Sequence, residues 1–156
     1  MSASTYYHSP LGWIEIQASH EAVTSLVFCD EQTNDAGNDS PILVECIRQL
    51  DEYFSGQRTC FDIPVHQKGT EFQQSVWNVL TGIPFGKTVS YGDVAKILNN
   101  PKSMRAVGAA NGKNKVWIIV PCHRVIGANG SMTGYAGGIE RKKWLLAHEN
   151  SLNLKP

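Results

Sequence analysis

The chain has 156 residues, of which 42% are hydrophobic, and its 14 basic residues balance its 14 acidic ones. This length can bury one good core or two small ones. No apolar run approaches the ~20 residues that a membrane-spanning helix needs. The N-terminus lacks the basic stretch and apolar region of a secretory signal. We therefore expect a cytoplasmic protein with reduced thiols and no membrane partner.

Charge divides the chain into two parts. Residues 1–65 hold 2 basic and 10 acidic residues, and residues 66–156 hold 12 and 4, so the formal charges are −8 and +8. This asymmetry predicts an acidic domain over 1–65 and a basic domain over 66–156 that meets phosphate. Mutual attraction of the two halves is the alternative. The basic surplus is scattered, which favours a folded face: Lys87, Lys96, Lys102, Arg105, Lys113, Lys115 and Arg124.

The acidic half predicts strands and turns. Alternation over 12–18 and the β-prone run 23–28 indicate an antiparallel hairpin. Residues 34–39 have the composition of a loop, and a short strand is expected at 61–63.

One helix is expected between that loop and the last strand. Ser40 is its predicted N-cap, Pro41 suits its first position, and Gly56 stops it. Its apolar positions fall on one face: Leu43, Ile47, Leu50 and Phe54. We expect an α+β fold for this half.

The basic half predicts three helices in succession. Thr70 and Gln73 form the pattern of a capping box, before an apolar stripe that ends at 82–84. Ser90 caps a second helix through Leu98. A tight turn then leads to a third helix, 104–111, with Ser103 as its cap and Gly112 at its end. This pair is typical of a helix-turn-helix, and a strand predicted at 116–120 makes a winged version plausible.

The third helix of this half has an unusual composition. It carries a cation, Arg105, in its first turn, which opposes the helix dipole. Its other positions are mostly small: Ala106, Gly108, Ala109 and Ala110. Small side chains suit a helix that presses into a minor groove only about 6 Å wide. Close packing of two helices inside the domain explains them equally well.

Cys122 and His123 follow the apolar run 117–120 and Pro121. A thiol reacts as thiolate, and its ordinary pKa of about 8.5 falls at a helix N-terminus or beside an imidazolium. We expect Cys122 to open the next turn at a site of positive potential. The alternative is a small buried hydrophobic residue, which free cysteines usually are. The cysteines at 29, 46 and 60 show neither CxxC pairing nor zinc-finger spacing, so no metal site is expected.

The residues around Cys122 carry a resemblance to a known family. The segments 121–125, 105–108 and 134–138 resemble those of the O6-alkylguanine-DNA alkyltransferases, which repair alkylated DNA by moving the alkyl group onto their own cysteine. The resemblance runs from about Gly69 to Glu149 and is weak over the first 65 residues. It implies a small ribonuclease H-like α/β domain with an antiparallel sheet, followed by a winged helix-turn-helix domain.

The resemblance assigns the reacting groups. Cys122 is the alkyl acceptor, and His123 is its base, acting through a water molecule. Glu149 orients His123, because it lies one turn beyond Leu145 on the inward face of the last helix. A solvated terminal charge is the alternative for Glu149. Tyr91 is expected to rotate the target phosphate and to donate a hydrogen bond to the flipped guanine.

The resemblance also predicts contacts to DNA and to the base. Arg105 enters the base stack in place of the extruded nucleotide, from the minor groove. The expected DNA-contacting residues are Ser90, Tyr91, Lys102, Arg105, Ala106, Ala109, Ala110 and Asn111. The expected substrate-binding residues are Cys122, Val125, Tyr135, Ala136, Gly137 and Asn114. Among these, the carbonyls of Cys122 and Val125 are expected to accept hydrogen bonds from the guanine amino group, and the Ala136 amide is expected to donate to O6. Tyr135 would form one wall of the pocket. Asn114 would brace the turn around the cysteine.

The expected partner is double-stranded DNA that contains alkylated guanine, bound by a monomer whose copies can cluster along the duplex. No cofactor is implied, and each chain reacts once because a thioether is stable. Acceptance of O4-alkylthymine is open. Two other hypotheses compete: a lesion sensor that flips alkylguanine without reacting, and a cysteine hydrolase that uses Cys122 and His123.

Overall fold

The structure is a computed structural model that describes residues 3–30, 40–130, 132 and 134–153, without the side chains of 151–153. The chain divides into two compact units, Met1–Gln67 and Lys68–Pro156. The charge pattern placed this boundary two residues earlier. None of the helices in the described part is long and apolar enough to cross a membrane.

The first unit is built on a three-stranded antiparallel sheet in the order β1-β2-β3. Its strands are β1 (Ala3–Ser9), β2 (Gly12–Ala18) and β3 (Val23–Cys29). The predicted hairpin is confirmed as β2 and β3. Strand β1 was not predicted, and it joins β2 through a two-residue turn. In that turn the Ser9 hydroxyl donates to the Gly12 carbonyl at 2.7 Å.

Helix α1 (Pro41–Phe54) packs against the sheet and closes the core of this unit. The fully buried residues of the core alternate along the strands and repeat along the helix: Ile14, Ile16, Leu26, Leu43, Leu50 and Tyr53. Ser40 occupies the N-cap position, but its side chain makes no capping hydrogen bond. Ser40 therefore occupies the predicted N-cap position but does not cap the helix through its side chain. Gly56 follows the helix with a φ of 85°, a conformation that favours glycine.

The strand predicted at 61–63 is wrong. The segment runs past α1, where the buried Gln49 side chain binds the backbone of Asp62 twice. Gln49 Nε2 donates to the Asp62 carbonyl at 2.9 Å, and the Asp62 amide donates to Gln49 Oε1 at 2.9 Å. The amide side chain thus replaces a neighbouring strand. Val65 makes an isolated parallel bridge to Val23. The predicted loop 34–39 lies outside the described residues.

The second unit begins with the helices that the caps predict. Helix α2 (Glu71–Thr81) starts at a complete capping box between Thr70 and Gln73. Helix α3 (Tyr91–Ile97) starts at a second box between Ser90 and Asp93.

Helix α4 (Met104–Gly112) packs on both α2 and α3, which gives the predicted pair of helices joined by a tight turn. At its start Ser103 makes no side-chain cap. Its hydroxyl donates instead to the Asn100 carbonyl at 2.7 Å.

The strand predicted at 116–120 is also wrong. Residues 117–120 form a buried turn in which Ile118 has a φ of 71°. The strands of the described part of this unit are a parallel pair of two residues each, β4 (Val89–Ser90) and β5 (Val125–Ile126), and Val116 is a single bridge residue. A buried apolar run cannot by itself distinguish a strand from a buried turn, which is why the pattern misled.

Helix α5 (Ile139–Asn153) completes the unit. Leu145 lies on the expected inward face and has no exposed surface, whereas Ile139 at the start of the helix is 43% exposed. Lys142 is fully buried in its place, and Glu149 is 1% exposed. The inward face of α5 therefore carries two ionisable groups, which are costly to bury without partners.

Candidate active site

Cys122 opens a short 3-10 turn, Cys122–Arg124, directly after Pro121. Its side chain is buried, with 3% of the residue exposed. The Cys122 amide donates to the Val120 carbonyl at 2.8 Å, and the Arg124 amide donates to the Pro121 carbonyl at 3.0 Å. The sulfur is thus carried on a tight, hydrogen-bonded loop inside the second unit.

Asn114 holds that loop in place. Its Nδ2 donates to the Val120 carbonyl at 2.9 Å, and its Oδ1 accepts from the Val116 amide at 3.1 Å. The Asn114 carbonyl also accepts from the Trp117 indole at 2.8 Å. Asn114 is 1% exposed, and its side chain also hydrogen-bonds the Cys122 thiol. One buried amide therefore braces the backbone before the cysteine and contacts the thiol itself.

The protonation state of Cys122 differs from the sequence prediction. Burial raises the pKa of the thiol to about 11, while the Asn114 hydrogen bond and the Lys142 charge act in the opposite direction. A turn of three residues has too short a dipole to offset this burial. The expected lowering of the thiol pKa is wrong, because burial outweighs the groups that favour the thiolate. Its reaction requires a group that removes the proton.

His123, the next residue in the chain after Cys122, forms a buried pair with Glu149. His123 Nε2 lies 2.7 Å from Glu149 Oε2, and the two side chains are 0% and 1% exposed. Burial is the main cause that lowers the pKa of His123, so its imidazole is neutral and donates through Nε2. Within the part of the chain that the structure describes, Nδ1 has no hydrogen-bond partner. The neutral ring therefore keeps a free lone pair in the site.

Arg124 is the third member of this cluster. Its Nε donates to Glu149 Oε1 at 2.8 Å and its Nη2 to Glu149 Oε2 at 2.9 Å. Burial alone would raise the pKa of Glu149, but the bonds and charges of His123 and Arg124 hold it below its usual range. Arg124 is 6% exposed, so its predicted place on a basic surface is wrong. Sequence reasoning missed this role because it assigned Arg124 to the basic surface, where arginines are usually found.

Lys142 was also missed. It has no exposed surface, and its Nζ donates to the Val125 carbonyl at 2.7 Å. Burial lowers the pKa of Lys142, while Cys122 raises it. The buried ammonium therefore lies near the reactive sulfur and fixes strand β5. The one available signal is spacing, because Lys142, Leu145 and Glu149 fall on one helical face.

Two tyrosines lie close to the sulfur. Burial, and then the charge of Cys122, raise the pKa of both Tyr91 and Tyr135. The Tyr135 ring is tilted against Trp117, with centroids 5.9 Å apart. Asn111 is 3% exposed and donates through Nδ2 to the Cys122 carbonyl at 3.4 Å. These residues surround Cys122 with aromatic and polar side chains.

The surface of α4 is divided between exposed and packed positions. Lys102, Arg105, Ala106 and Ala109 are exposed. Ala110 is 2% exposed and its carbonyl accepts from the Trp77 indole at 2.9 Å. Ala110 and Asn111 are buried, and their predicted contacts with DNA stay predictions. A methyl group at Gly108 would lie 3.9 Å from the Tyr91 ring, an ordinary van der Waals contact, so packing against Tyr91 does not by itself require glycine there.

Two family profiles match the chain. The ribonuclease-like domain of 6-O-methylguanine DNA methyltransferase matches residues 3–67, and the DNA binding domain of the same family matches residues 71–151. The chain belongs to the 6-O-methylguanine DNA methyltransferase family. The fold agrees, with an antiparallel sheet in the first unit and a helical second unit.

Relatives match over nearly the whole chain. A methylated-DNA--protein-cysteine methyltransferase of Methanosarcina acetivorans is 45% identical over 150 residues, which cover 93% of this chain and 96% of the relative. The constitutive enzyme of Bacillus subtilis is 43% identical over 155 residues, with 94% of each chain covered.

Solved structures of the family are similar as well. The crystal structure of Mycobacterium tuberculosis O6-methylguanine methyltransferase has a TM-score of 0.88 at 42% identity, covering 100% of this chain and 96% of the other. The M. tuberculosis protein in complex with DNA has a TM-score of 0.86 at 40% identity, covering 96% and 93%.

Three further residues of this methyltransferase were predicted to contact DNA or the base: Ser90, Ala136 and Gly137. Ser90 caps α3 through a hydrogen bond from the Asp93 amide at 3.0 Å, so its side chain is used structurally. Gly137 is buried and Ala136 is exposed. The described residues contain no group of three or more His, Cys, Asp or Glu that could hold a metal ion.

Proposed function

We propose that this chain repairs DNA by transferring the alkyl group of O6-alkylguanine irreversibly to Cys122. Membership of the methyltransferase family supports the reaction class. The observation that carries the assignment to Cys122 is its burial beside the His123–Glu149 pair. Among the four cysteines, Cys122 is the one that this pair adjoins.

The proton of the thiol moves to His123. Glu149 accepts from Nε2 and so fixes the tautomer whose Nδ1 lone pair is free. Neighbouring side chains in one turn do not face each other, so we infer that a water molecule passes the proton from Cys122 to Nδ1.

The alkyl transfer itself is a displacement at saturated carbon. The sulfur electron pair forms the S–C bond as the bond from that carbon to O6 breaks, and the guanine anion leaves. The His123 imidazolium then gives the proton to the guanine anion. The product is a thioether that does not hydrolyse, so each chain reacts once.

Backbone groups select the base. In this proposal the carbonyls of Cys122 and Val125 accept from the guanine amino group, and the Ala136 amide donates to O6 as charge builds there. Asn111 and Lys142 support these carbonyls, because they donate to Cys122 and Val125 respectively. Tyr135 forms one wall, and Gly137 leaves room for the alkyl group.

DNA is the partner of the second unit, as it is for the M. tuberculosis relative in its complex. The paired helices α3 and α4 present Arg105 with the small residues Ala106 and Ala109, an arrangement suited to the minor groove. Arg105 takes the place of the flipped nucleotide, and Lys102 meets phosphate. Tyr91 lies between α4 and Cys122, where it can turn the target phosphate and contact the base.

We further propose that the protein acts as a cytoplasmic monomer whose copies can cluster along DNA. We place the boundary between an acidic domain, 1–65, and a DNA-binding domain, 66–156, at the point where the net charge of the sequence changes sign. The lesion-sensor hypothesis is disfavoured because the cysteine is present with its base. The hydrolase hypothesis leaves the helix pair without a role.

Intact mass spectrometry tests the proposal. Incubation with a duplex that carries one O6-methylguanine should add about 14 Da, because a methyl group replaces the thiol proton. The Cys122→Ala protein should bind the duplex and gain no mass. Repeated turnover by the wild-type protein, or a mass gain in the Cys122→Ala protein, would rule the proposal out.

A further inference from the structure

Arg124 and His123 compete for the same oxygen of Glu149. His123 Nε2 lies 2.7 Å from Oε2, and Arg124 Nη2 donates to that atom at 2.9 Å. Arg124 Nε also donates to Oε1 at 2.8 Å, so the contact between the guanidinium and the carboxylate is bidentate. The three side chains are between 0% and 8% exposed, so water does not screen their charges strongly.

Arg124 is itself held in place from a third side. Its Nη1 donates to the Ile83 carbonyl at 2.7 Å, and the guanidinium carbon lies 5.7 Å from the centroid of the Phe85 ring. The guanidinium is a rigid planar fork, and these contacts fix its orientation toward the carboxylate. Arg124 thus joins the segment after α2 to the inward face of α5.

The contact between Arg124 and Glu149 affects the protonation of His123. A buried histidine that faces an acid alone tends to become imidazolium, and an imidazolium cannot accept a proton. The groups that face His123 are Glu149 and Lys142 from α5, and Arg124 from its own turn. Helix α2 also packs on the turn, and its one titratable residue is the exposed Glu71. The two cations therefore oppose the single carboxylate.

We propose that Arg124 is a positioning residue that neutralises Glu149, so that Glu149 orients His123 without protonating it. His123 then remains a neutral imidazole whose Nδ1 can accept the Cys122 proton through a water molecule. The inference rests on the proposed function in one respect, namely that the proton accepted by Nδ1 comes from the Cys122 thiol. A merely structural role for Arg124 would support the fold and leave the titration of His123 unchanged.

The test measures the pKa of His123 by NMR of protein labelled with 15N in its histidine rings. In Arg124→Gln the pKa should rise by at least about one pH unit, the low end of the effect of a neighbouring charge. In Arg124→Lys it should rise less, because an ammonium contacts one carboxylate oxygen at a time. Arg48→Gln, which removes an exposed arginine of the first unit, is the matched control and should leave it unchanged.

A pKa of His123 equal to that of the wild type in both Arg124 variants would overturn the inference. If Arg124→Gln does not fold, Arg124→Lys decides alone by the same criterion. The second readout is the rate of Cys122 alkylation by free O6-methylguanine across pH, whose acid limb should move to higher pH with the NMR value. Because the NMR titration needs no alkyl transfer, a protein that titrates as expected but never alkylates Cys122 contradicts the proposed function and supports the role of Arg124.

Discussion

Replacement of Glu149 by alanine should destabilise the second unit strongly. The carboxylate receives three hydrogen bonds of 2.7, 2.8 and 2.9 Å, and its removal leaves the Arg124 guanidinium, with 8% of its side chain exposed, without a counter-ion. Breaking a buried pair from one side costs about 3 to 5 kcal/mol. We expect the free energy of unfolding of Glu149→Ala to fall by that amount.

Urea titration followed by tryptophan fluorescence measures this loss, because Trp77 and Trp117 are buried in the second unit. Glu52→Ala is the matched control, since Glu52 also pairs with two arginines but its side chain is 31% exposed. Its loss should stay below about 1 kcal/mol, as for surface pairs. If Glu149→Ala loses no more than Glu52→Ala, the buried cluster does not stabilise the fold and the reasoning is wrong.

Three further predictions concern pH, the buried lysine and the DNA surface. Because the folded-state pKa of Glu149 is depressed, its stabilisation is complete above its unfolded pKa of about 4.3 and is lost as the pH falls further. Acid urea titrations should therefore show a steeper loss of unfolding free energy below pH 4.3 in the wild type than in Glu149→Gln; parallel curves would refute this. Lys142→Met should slow Cys122 alkylation by about tenfold or more at neutral pH and move its pH profile upward, with partial recovery in Lys142→Arg, since a cation near the sulfur favours thiolate; an unchanged profile in stopped-flow assays contradicts this. Arg105→Ala should slow repair of duplex DNA by about tenfold or more while leaving reaction with the free alkylated base nearly unchanged, and equal losses on both substrates would show that Arg105 is not the wedge.

Local signals in the sequence predicted the helices well. The boxes at Thr70 and Ser90 were readable because each is closed by reciprocal hydrogen bonds over three residues. The contact of Glu149 with His123 was predicted from the family resemblance together with the helical position of Glu149, and the structure contains it at 2.7 Å.

The sequence did not predict the buried contacts of Arg124 and Lys142. Arg124 and Lys142 bear charges that composition assigns to the surface, and their partners lie 25 and 17 residues away. The run at 117–120 is apolar because it is buried. Its backbone is hydrogen-bonded within the turn and to the Asn114 side chain instead of to a neighbouring strand, and the pattern of apolar residues does not indicate this.

The most direct test of the account is to find where the transferred alkyl group resides. A duplex with a deuterated O6-methyl group, added in increasing amounts, should label the Cys122 peptide up to one methyl per chain. The peptides of Cys46, which is buried, and Cys60, which is exposed, should stay unlabelled. Label on Cys60, or release of labelled product beyond one equivalent with Cys122 unmodified, would contradict irreversible transfer to Cys122.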